Sequence, residues 1–407
     1  MSGTGEAGKK GPRVRSDCWI GIQLADTGGV SIDLKSKVAG MFGDRITALL
    51  EEGCRALGVQ NARVMLEDQG ALPFTLAARL ETAIRRAGVD VSGGYLLPMN
   101  DKCATTSTAD RLRRSRLYLP GNEPKFYVNA GLHEPDGVIL DLEDSVAPTE
   151  KDAARALVRN ALRAVDFYGA ERMVRINQGE QGLDDLEWIV PHNVNLVLIP
   201  KVEDPQQVVE VDRRIAAINQ KNGNTESVFL MPIIESALGA WRAFEIGSSS
   251  ANVVGLAIGL EDYTADIGAQ RTLAGTESFW ARAQVLNGAR AAGVQPIDTV
   301  FSDVSDMEGL AASVREAKGL GFVGKGCIHP RQITVVHDAF APEEAEIDRA
   351  CRIVLAFEDA QDRGLGVVSL GSKMIDAPVV KRAATMVQTA IRVGRLAADW
   401  REEKPPV

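Results

Sequence analysis

GVILDLEDSVAPTEKDAARALVRNALRAVDFYGAERMVRIN, residues 137–177, decides the fold. Its first piece, GVILDL (137–142), is short, apolar and β-branched, as a strand buried on both faces requires. TEKDAARALVRNALRA (149–164) has helical periodicity and one apolar stripe. MVRIN (173–177) is a second buried strand. Strands of this kind alternating with amphipathic helices make a parallel sheet covered on both faces.

The same strand type recurs outward in both directions. SRLYLP (115–120) precedes the pair, and LVLIPKV (196–202), VFLMPII (228–234), VVGLAIG (253–259), PIDTVFS (296–302) and GFVGKGCI (321–328) follow it. Most intervals hold a helical stretch, SFWARAQVLNGARAAG (278–293) among them. Eight such units over roughly 220 residues fit a closed (β/α)8 barrel, the TIM barrel, better than an open doubly wound sheet. An open sheet binding a dinucleotide needs GxGxxG after a strand, and none is present.

Before the barrel, Cys18 to about Ala87 reads as a small α+β domain. CWIGIQL, SIDLKSK and ARVMLED are strands, DRITALLEEGCRALG and PFTLAARLETAIRRA helices, and QGALP a turn. Residues 1–15 are rich in Gly, Lys and Arg and read as mobile. The division expected is 1–96 for the small domain, 97–112 for a polar linker, 113–340 for the barrel and 341–407 for a helical extension. Within that extension, APEEAEIDRACRIVLAFEDAQDRG and VVKRAATMVQTAIRVGRLAADW read as helices, with GSKMIDAP a loop between them.

The 407 residues are 45% hydrophobic and 25% charged, an ordinary globular balance able to bury a large core. The net charge of -9 argues against a nucleic-acid or anionic-membrane binder. Cys18, Cys54, Cys103, Cys327 and Cys351 are scattered and odd in number, with no CxxC pair, as reduced thiols of a cytoplasmic protein are. No apolar run has secretory-signal or membrane-spanning form.

A barrel of this kind places its site at the C-terminal ends of its strands. The polar residues there are Asp141, Glu143, Asp144, Arg175, Asn177, Lys201, Glu203, Glu235, Glu261, Asp262, Asp266, Asp298 and His329. The set is rich in carboxylates and has no histidine pair at ligand spacing, which favours a hard cation such as Mg²⁺ over Zn²⁺. Glu235 and Asp262 are the first choices as ligands, since each follows an apolar strand where a charge has no packing role. Asp141, Glu143 and Asp144 stand between ligation and pairing with Lys or Arg, and Asp266 reads as a local helix cap. Arg175 interrupts an apolar strand and so needs an oxyanion, from a ligand or from a carboxylate of the protein. Lys201 allows Schiff-base chemistry, and pairing with its neighbour Glu203 is an equally simple reading. His329 reads as structural or as lining a thioester. Arg111, Arg113, Arg114 and Arg116 with the turn Pro120–Asn122 either receive nucleotide phosphates or form a solvated linker face.

These motifs are specific enough to show a resemblance. RRSRLYLPGN, GVILDLEDSV, MVRIN, IPKVE, PIIESALGA, GLEDYTADIG, PIDTVFSD, GKGCIHPRQI and GSKMIDAPVVKRA resemble the β subunit of citrate lyase and the malyl-CoA and citramalyl-CoA lyases. The resemblance implies Mg²⁺ on Glu235 and Asp262, and substrate on Arg175 at its keto or thioester end; Asn122, Arg116, Glu143 and Lys201 are the further substrate-binding residues expected from the sequence. It also implies an acid/base at Asp376, supplied by the C-terminal segment of a neighbouring subunit in a trimer or hexamer. The activity it implies is cleavage of a citryl thioester to oxaloacetate and an acetyl thioester. The alternatives are malyl-CoA or citramalyl-CoA cleavage, with or without thioesterase action, and a non-catalytic barrel scaffold.

The N-terminal domain resembles the acyl carrier subunit of citrate lyase through SDCWIGIQL, SIDLKSKVAGMFGD and GVQNARVMLEDQGALPFTLAARLETAIRRA. A carrier implies a phosphoribosyl-dephospho-CoA arm in place of free CoA, and an acyltransferase partner. Aligned on Asp17, however, the attachment position falls on Arg15, leaving Ser16 as the possible attachment residue only after a local shift.

Overall fold

The computed structural model describes residues 3–362, 368–370 and 373–403. Two compact units divide the chain: Met1–Met307 with Glu316–Ile333, and Glu308–Arg315 with Thr334–Val407. The small N-terminal domain therefore belongs to the same unit as the barrel.

That domain is a four-stranded sheet in the order β1-β2-β4-β3, with strands β1 (Thr4–Gly8), β2 (Cys18–Leu24), β3 (Val30–Ser36) and β4 (Ala62–Asp68). Helices α1 (Ala39–Ala56) and α2 (Pro73–Arg86) close it over a core that includes Ile20, Ile22, Leu50, Val64, Leu66, Leu80 and Ile84. The expectation of a mobile start is corrected by β1, which pairs antiparallel with β2 from Thr4↔Gln23 to Gly8↔Trp19. Its glycines are packing residues: a Cβ on Gly5 would strike the Ala83 carbonyl at the end of α2. Glycine read as looseness is here close approach.

All eight expected barrel strands form. They are β5 (Ser115–Pro120), β6 (Gly137–Asp141), β7 (Glu171–Arg175), β8 (Leu196–Ile199), β9 (Phe229–Ile234), β10 (Gly255–Ile258), β11 (Gln295–Asp298) and β12 (Gly324–Cys327). Every pair is parallel, and β12 pairs with β5 to close the barrel. The helices between them are α3 (Lys151–Ala164), α4 (Gly179–Ile189), α5 (Pro205–Asn222), α6 (Ala237–Trp241), α7 (Ala243–Gly247), α8 (Leu260–Asp266), α9 (Phe279–Ala292) and α10 (Met307–Leu320). α5 starts cleanly because Asp204 and Gln207 form a capping box ahead of Pro205.

Side-chain parity places the site. Ile139, Met173, Met231 and Ile233 fill the barrel interior. Alternation then sends Asp141, Arg175 and Glu235, in the same phase at the strand ends, to the mouth. The residues 97–112 are strapped down below it: Arg172 donates to the Thr105 carbonyl (2.6 Å), and Asn100 N–H to the Arg163 carbonyl (2.9 Å).

The second unit contains most of α11 (Arg331–Phe340), then α12 (Glu344–Asp362), β13 (Val368–Leu370), β14 (Lys373–Ile375), α13 (Ala377–Arg392) and α14 (Trp400–Glu403). β14 lies where a loop was expected and pairs antiparallel with β13. Residues 363–367, 371 and 372 of the expected helix end and loop lie outside the described residues. α12 and α13 share a core of Ile347, Cys351, Val354, Val387 and Trp400.

Candidate active site

A cavity of about 450 Å³ opens at the barrel mouth, lined by Arg116, Tyr118, Asp141, Arg175, Glu235 and Asp262 among others. Arg175 is its fixed cation. Nε and Nη2 donate to the two Asp141 oxygens (2.7 and 2.8 Å), and Nη1 lies 2.9 Å from Glu143 Oε2. The guanidinium also lies over the Tyr118 ring, 5.4 Å from its centroid. Burial alone would raise the Asp141 pKa, but Arg175, the Ser145 side chain and the Glu143 N–H hold it below the usual range. In turn burial would lower Arg175, and Asp141 more than reverses that.

Glu235 is the opposite case. Its carboxyl is buried and accepts one hydrogen bond from the Lys201 N–H (3.0 Å). Burial pushes its pKa up to about 7 despite Arg175, and the charges of Asp262 and Glu143 add to the rise. Gly259 makes room for it, since a Cβ there would come within 2.5 Å of Glu235 Oε1.

Lys201 has a left-handed backbone (φ 50), which points its N–H at Glu235 while its ammonium turns outward. Nζ lies 3.4 Å from Asp262, 3.6 Å from Asp144 and 3.7 Å from Glu143. The expected pairing with Glu203 is corrected: the Glu203 backbone bonds Gln207, and the lysine serves the other three carboxylates. Burial would lower the Lys201 pKa, but those carboxylates raise it, so it stays an ammonium and not an imine-forming amine.

The structure sorts the remaining candidates. Asp266 is not a local cap: it accepts from Ala237 N–H (2.8 Å) in the first turn of α6, which Ser236 caps. Asn177 is tied to Asp185 (2.7 Å), and Glu261 pairs with Arg271. Asp298 is buried between Lys325 (2.7 Å) and Arg282 (3.1 Å), which hold its pKa down against burial. His329 Nδ1 accepts from Arg331 N–H (3.1 Å), a local turn. Asn122 offers its carbonyl to Arg79 (3.2 Å), joining the small domain to the mouth loop after β5.

The basic cluster is dispersed. Arg113 pairs with Glu171 and Arg114 with Asp136, at the N-terminal end of β5, away from the mouth. Arg111 donates to the Gly169 carbonyl, and Arg116 alone turns into the barrel. The phosphate-receiving face is thus corrected, because the chain enters the barrel through these residues. Tyr118 and Gly259 were missed. An aromatic inside a strand and a glycine after one look like packing until the mouth is assembled.

In the second unit, Asp376 is exposed and caps α13, accepting from Val379 N–H (3.1 Å). Ser16 is half-buried with a left-handed backbone (φ 51), and Arg15 beside it is exposed.

Residues 114–330 match the family described as HpcH/HpaI aldolase/citrate lyase. The chain belongs to that family. Residues 10–87 match a second one, described as the malonate decarboxylase delta subunit, so an acyl-carrier-like domain precedes the family's barrel. The citrate lyase subunit beta of Escherichia coli (strain K12) is 41% identical over 283 residues, 69% of this chain and 94% of that one. The L-malyl-CoA/beta-methylmalyl-CoA lyase of Cereibacter sphaeroides (strain ATCC 17029 / ATH 2.4.9) is 32% identical over 306 residues, 69% and 95% of the two chains.

Among solved structures, protein CitE of Mycobacterium tuberculosis in complex with magnesium, acetoacetate and coenzyme A superposes with a TM-score of 0.58. It is 30% identical and covers 70% of this chain and 99% of its own. A citrate lyase beta subunit from M. tuberculosis complexed with oxaloacetate and magnesium is 31% identical, with a TM-score of 0.50 over 58% of this chain and 100% of that one.

Proposed function

We propose that this chain cleaves a citryl thioester, a 3-hydroxy-3-carboxyacyl thioester, into oxaloacetate and an acetyl thioester. As a family member it is a magnesium-dependent carbon–carbon lyase. The observation that carries the reading is Glu235: a buried carboxyl crowded by Asp262 and Glu143 is stabilised in its charged form by a cation. Glu235 and Asp262 are the residues to hold Mg²⁺, which keeps several waters and needs few protein carboxylates. Bound there, the ion would supply Lewis-acid polarisation of the substrate's hydroxyl and carboxylate.

The chain's own residues do the rest. In the retro-Claisen step the hydroxyl gives its proton to the Asp376 carboxylate, and its oxygen becomes the keto group. The breaking C–C bond leaves its electron pair on the thioester α-carbon, as an enolate. Arg175, locked by Asp141 and Glu143, offers a preorganised cation at the cavity wall for that charge. Asp376 delivers a proton to the α-carbon, from the C-terminal segment of a neighbouring subunit in a trimer or hexamer. Asn122, Glu143 and Lys201 set the rim that orients the substrate.

The acyl group rides on free CoA in this reading, and not on a phosphoribosyl-dephospho-CoA arm at Ser16. What favours this is the docking of the carrier-like domain by the buried Glu81–Arg159 pair and by the hydrogen bond from Arg79 to the Asn122 carbonyl, together with Arg15 at the attachment position. An acyltransferase partner belongs to the arm-bearing alternative. Malyl-CoA and citramalyl-CoA remain the competing substrates. Among the described residues no helix is long and apolar enough to cross a membrane; we place the enzyme in the cytoplasm.

The test is a keto-acid assay on citryl-, malyl- and citramalyl-CoA, with Mg²⁺ and with EDTA. Citryl-CoA cleavage that EDTA stops is the expected result, and no cleavage of any of the three defeats the reading. Intact mass of the native protein decides the carrier question: an adduct on Ser16 defeats free CoA.

A further inference from the structure

Arg116 lies on β5 inside the barrel wall, 1% exposed, and lines the cavity. The other deeply buried arginines of this unit all have oxygen partners. Arg79 pairs with Asp17, Arg113 with Glu171, Arg159 with Glu81 and Arg282 with Asp298, while Arg172 reaches the Asn193 and Thr105 carbonyls. Arg116 has none among the described residues. Its Nη1 contacts Met231 Sδ (3.1 Å), a weak acceptor, and its Nε is buried with no partner.

A guanidinium cannot shed its proton at any ordinary pH, so this charge persists in a site that offers it no anion. Its depth is fixed by register. Arg116 is level with Gly137 on β6, whereas Pro120 is level with Asp141. It therefore sits below the Asp141–Arg175 pair, with Tyr118 on the same face of β5 between the two levels. Beside it on β12 is Gly326, also a lining residue, so no side chain from that strand fills the space.

We propose that Arg116 is a carboxylate-binding floor for the acyl substrate. Its planar fork takes the carboxylate at the far end of the acyl group, the one remote from the carbinol carbon. The enzyme thereby selects acyl groups whose keto-acid product has two carboxylates, as oxaloacetate has, over those giving pyruvate or glyoxylate. This rests on the lyase reading of the same cavity.

The test is calorimetric titration of oxaloacetate, pyruvate and glyoxylate into the Mg²⁺-loaded protein and into R116M and R116K. Wild type prefers oxaloacetate by about tenfold or more, and R116M loses about tenfold to a hundredfold for oxaloacetate while pyruvate changes little. R116K keeps the charge without the fork and falls between them. Without ligand, R116M melts no lower than wild type, because it removes a buried charge lacking a counterion. Equal binding of the three acids, no binding of any, or an unaltered oxaloacetate affinity in R116M overturns the inference. So does a clear fall in the melting temperature of ligand-free R116M. Failure of all three CoA esters in the cleavage assay, in contrast, defeats the lyase reading itself.

Discussion

Glu81 and Arg159 face each other across the join between the small domain and the barrel, with Arg159 Nη1 and Nη2 3.1 and 2.6 Å from the two Glu81 oxygens. Both side chains are buried, and Glu81 also accepts from Tyr95 N–H (2.9 Å). Nearby, Arg86 pairs with Asp152 and Asn160 donates to the Phe74 carbonyl. Carrier domains that deliver acyl groups need freedom; this one is clamped.

Breaking the clamp strips the buried Glu81 of its bidentate partner and leaves it, among the described residues, only the Arg85 cation 3.1 Å away. Arg159→Met is expected to destabilise the protein by about 3 kcal/mol. A double variant, Glu81→Leu with Arg159→Met, recovers most of that loss because the under-paired buried carboxylate is gone as well. Urea midpoints for the two variants check it, and a double variant no better than the single one contradicts it.

The Asp141–Arg175 pair makes a kinetic prediction. Asp141→Asn keeps the shape but loses the charge that anchors Arg175, and kcat falls about tenfold to a hundredfold. Arg175→Lys cannot restore the bidentate geometry and falls further, about a hundredfold or more. Steady-state kinetics on the accepted CoA ester decide this, and a rise in KM alone would point to simple binding.

Glu235→Gln and Asp262→Asn are expected to weaken Mg²⁺ binding about a hundredfold. Gly259→Ala acts on the same carboxylate without touching its charge, because the added methyl displaces Glu235. The readout is the rise in melting temperature on adding Mg²⁺. It should shrink in all three variants and persist in wild type.

His192 supplies a pH signature of stability. Burial first, then the charges of Arg159 and Arg163, outweigh Glu81 and lower its pKa from 6.5 to about 3. Its Nδ1 lies 3.3 Å from Arg163 Nη1, an arrangement that requires a neutral, accepting nitrogen. Between those values the unfolded chain binds a proton that the folded chain refuses. Stability is therefore complete above pH 6.5 and declines as the pH falls below it, by at most about 1.4 kcal/mol per pH unit from this group. His192→Gln should flatten that decline in urea titrations between about pH 7 and pH 5.

The eight strands were readable because parallel strands covered on both faces show as continuous apolar runs. The site's location followed from their ends. β1 was not readable, because Gly5 and Gly8 carry no apolar signal and serve only to bring backbones together. Nor were the partners of Lys201, since a positive φ aims the side chain at residues from two other segments.

By itself, then, the sequence determined the barrel, the carboxylate-rich mouth and the presence of a carrier-like domain, all of which are local patterns of period and composition. Only the tertiary structure decided which charges meet. Arg113, Arg114 and Arg116 are near neighbours in one basic run, yet Glu171, Asp136 and an empty-handed interior await them in turn. Strand alternation and closure of β12 on β5 separate them, and an ion pair depends on distances that no stretch of sequence contains.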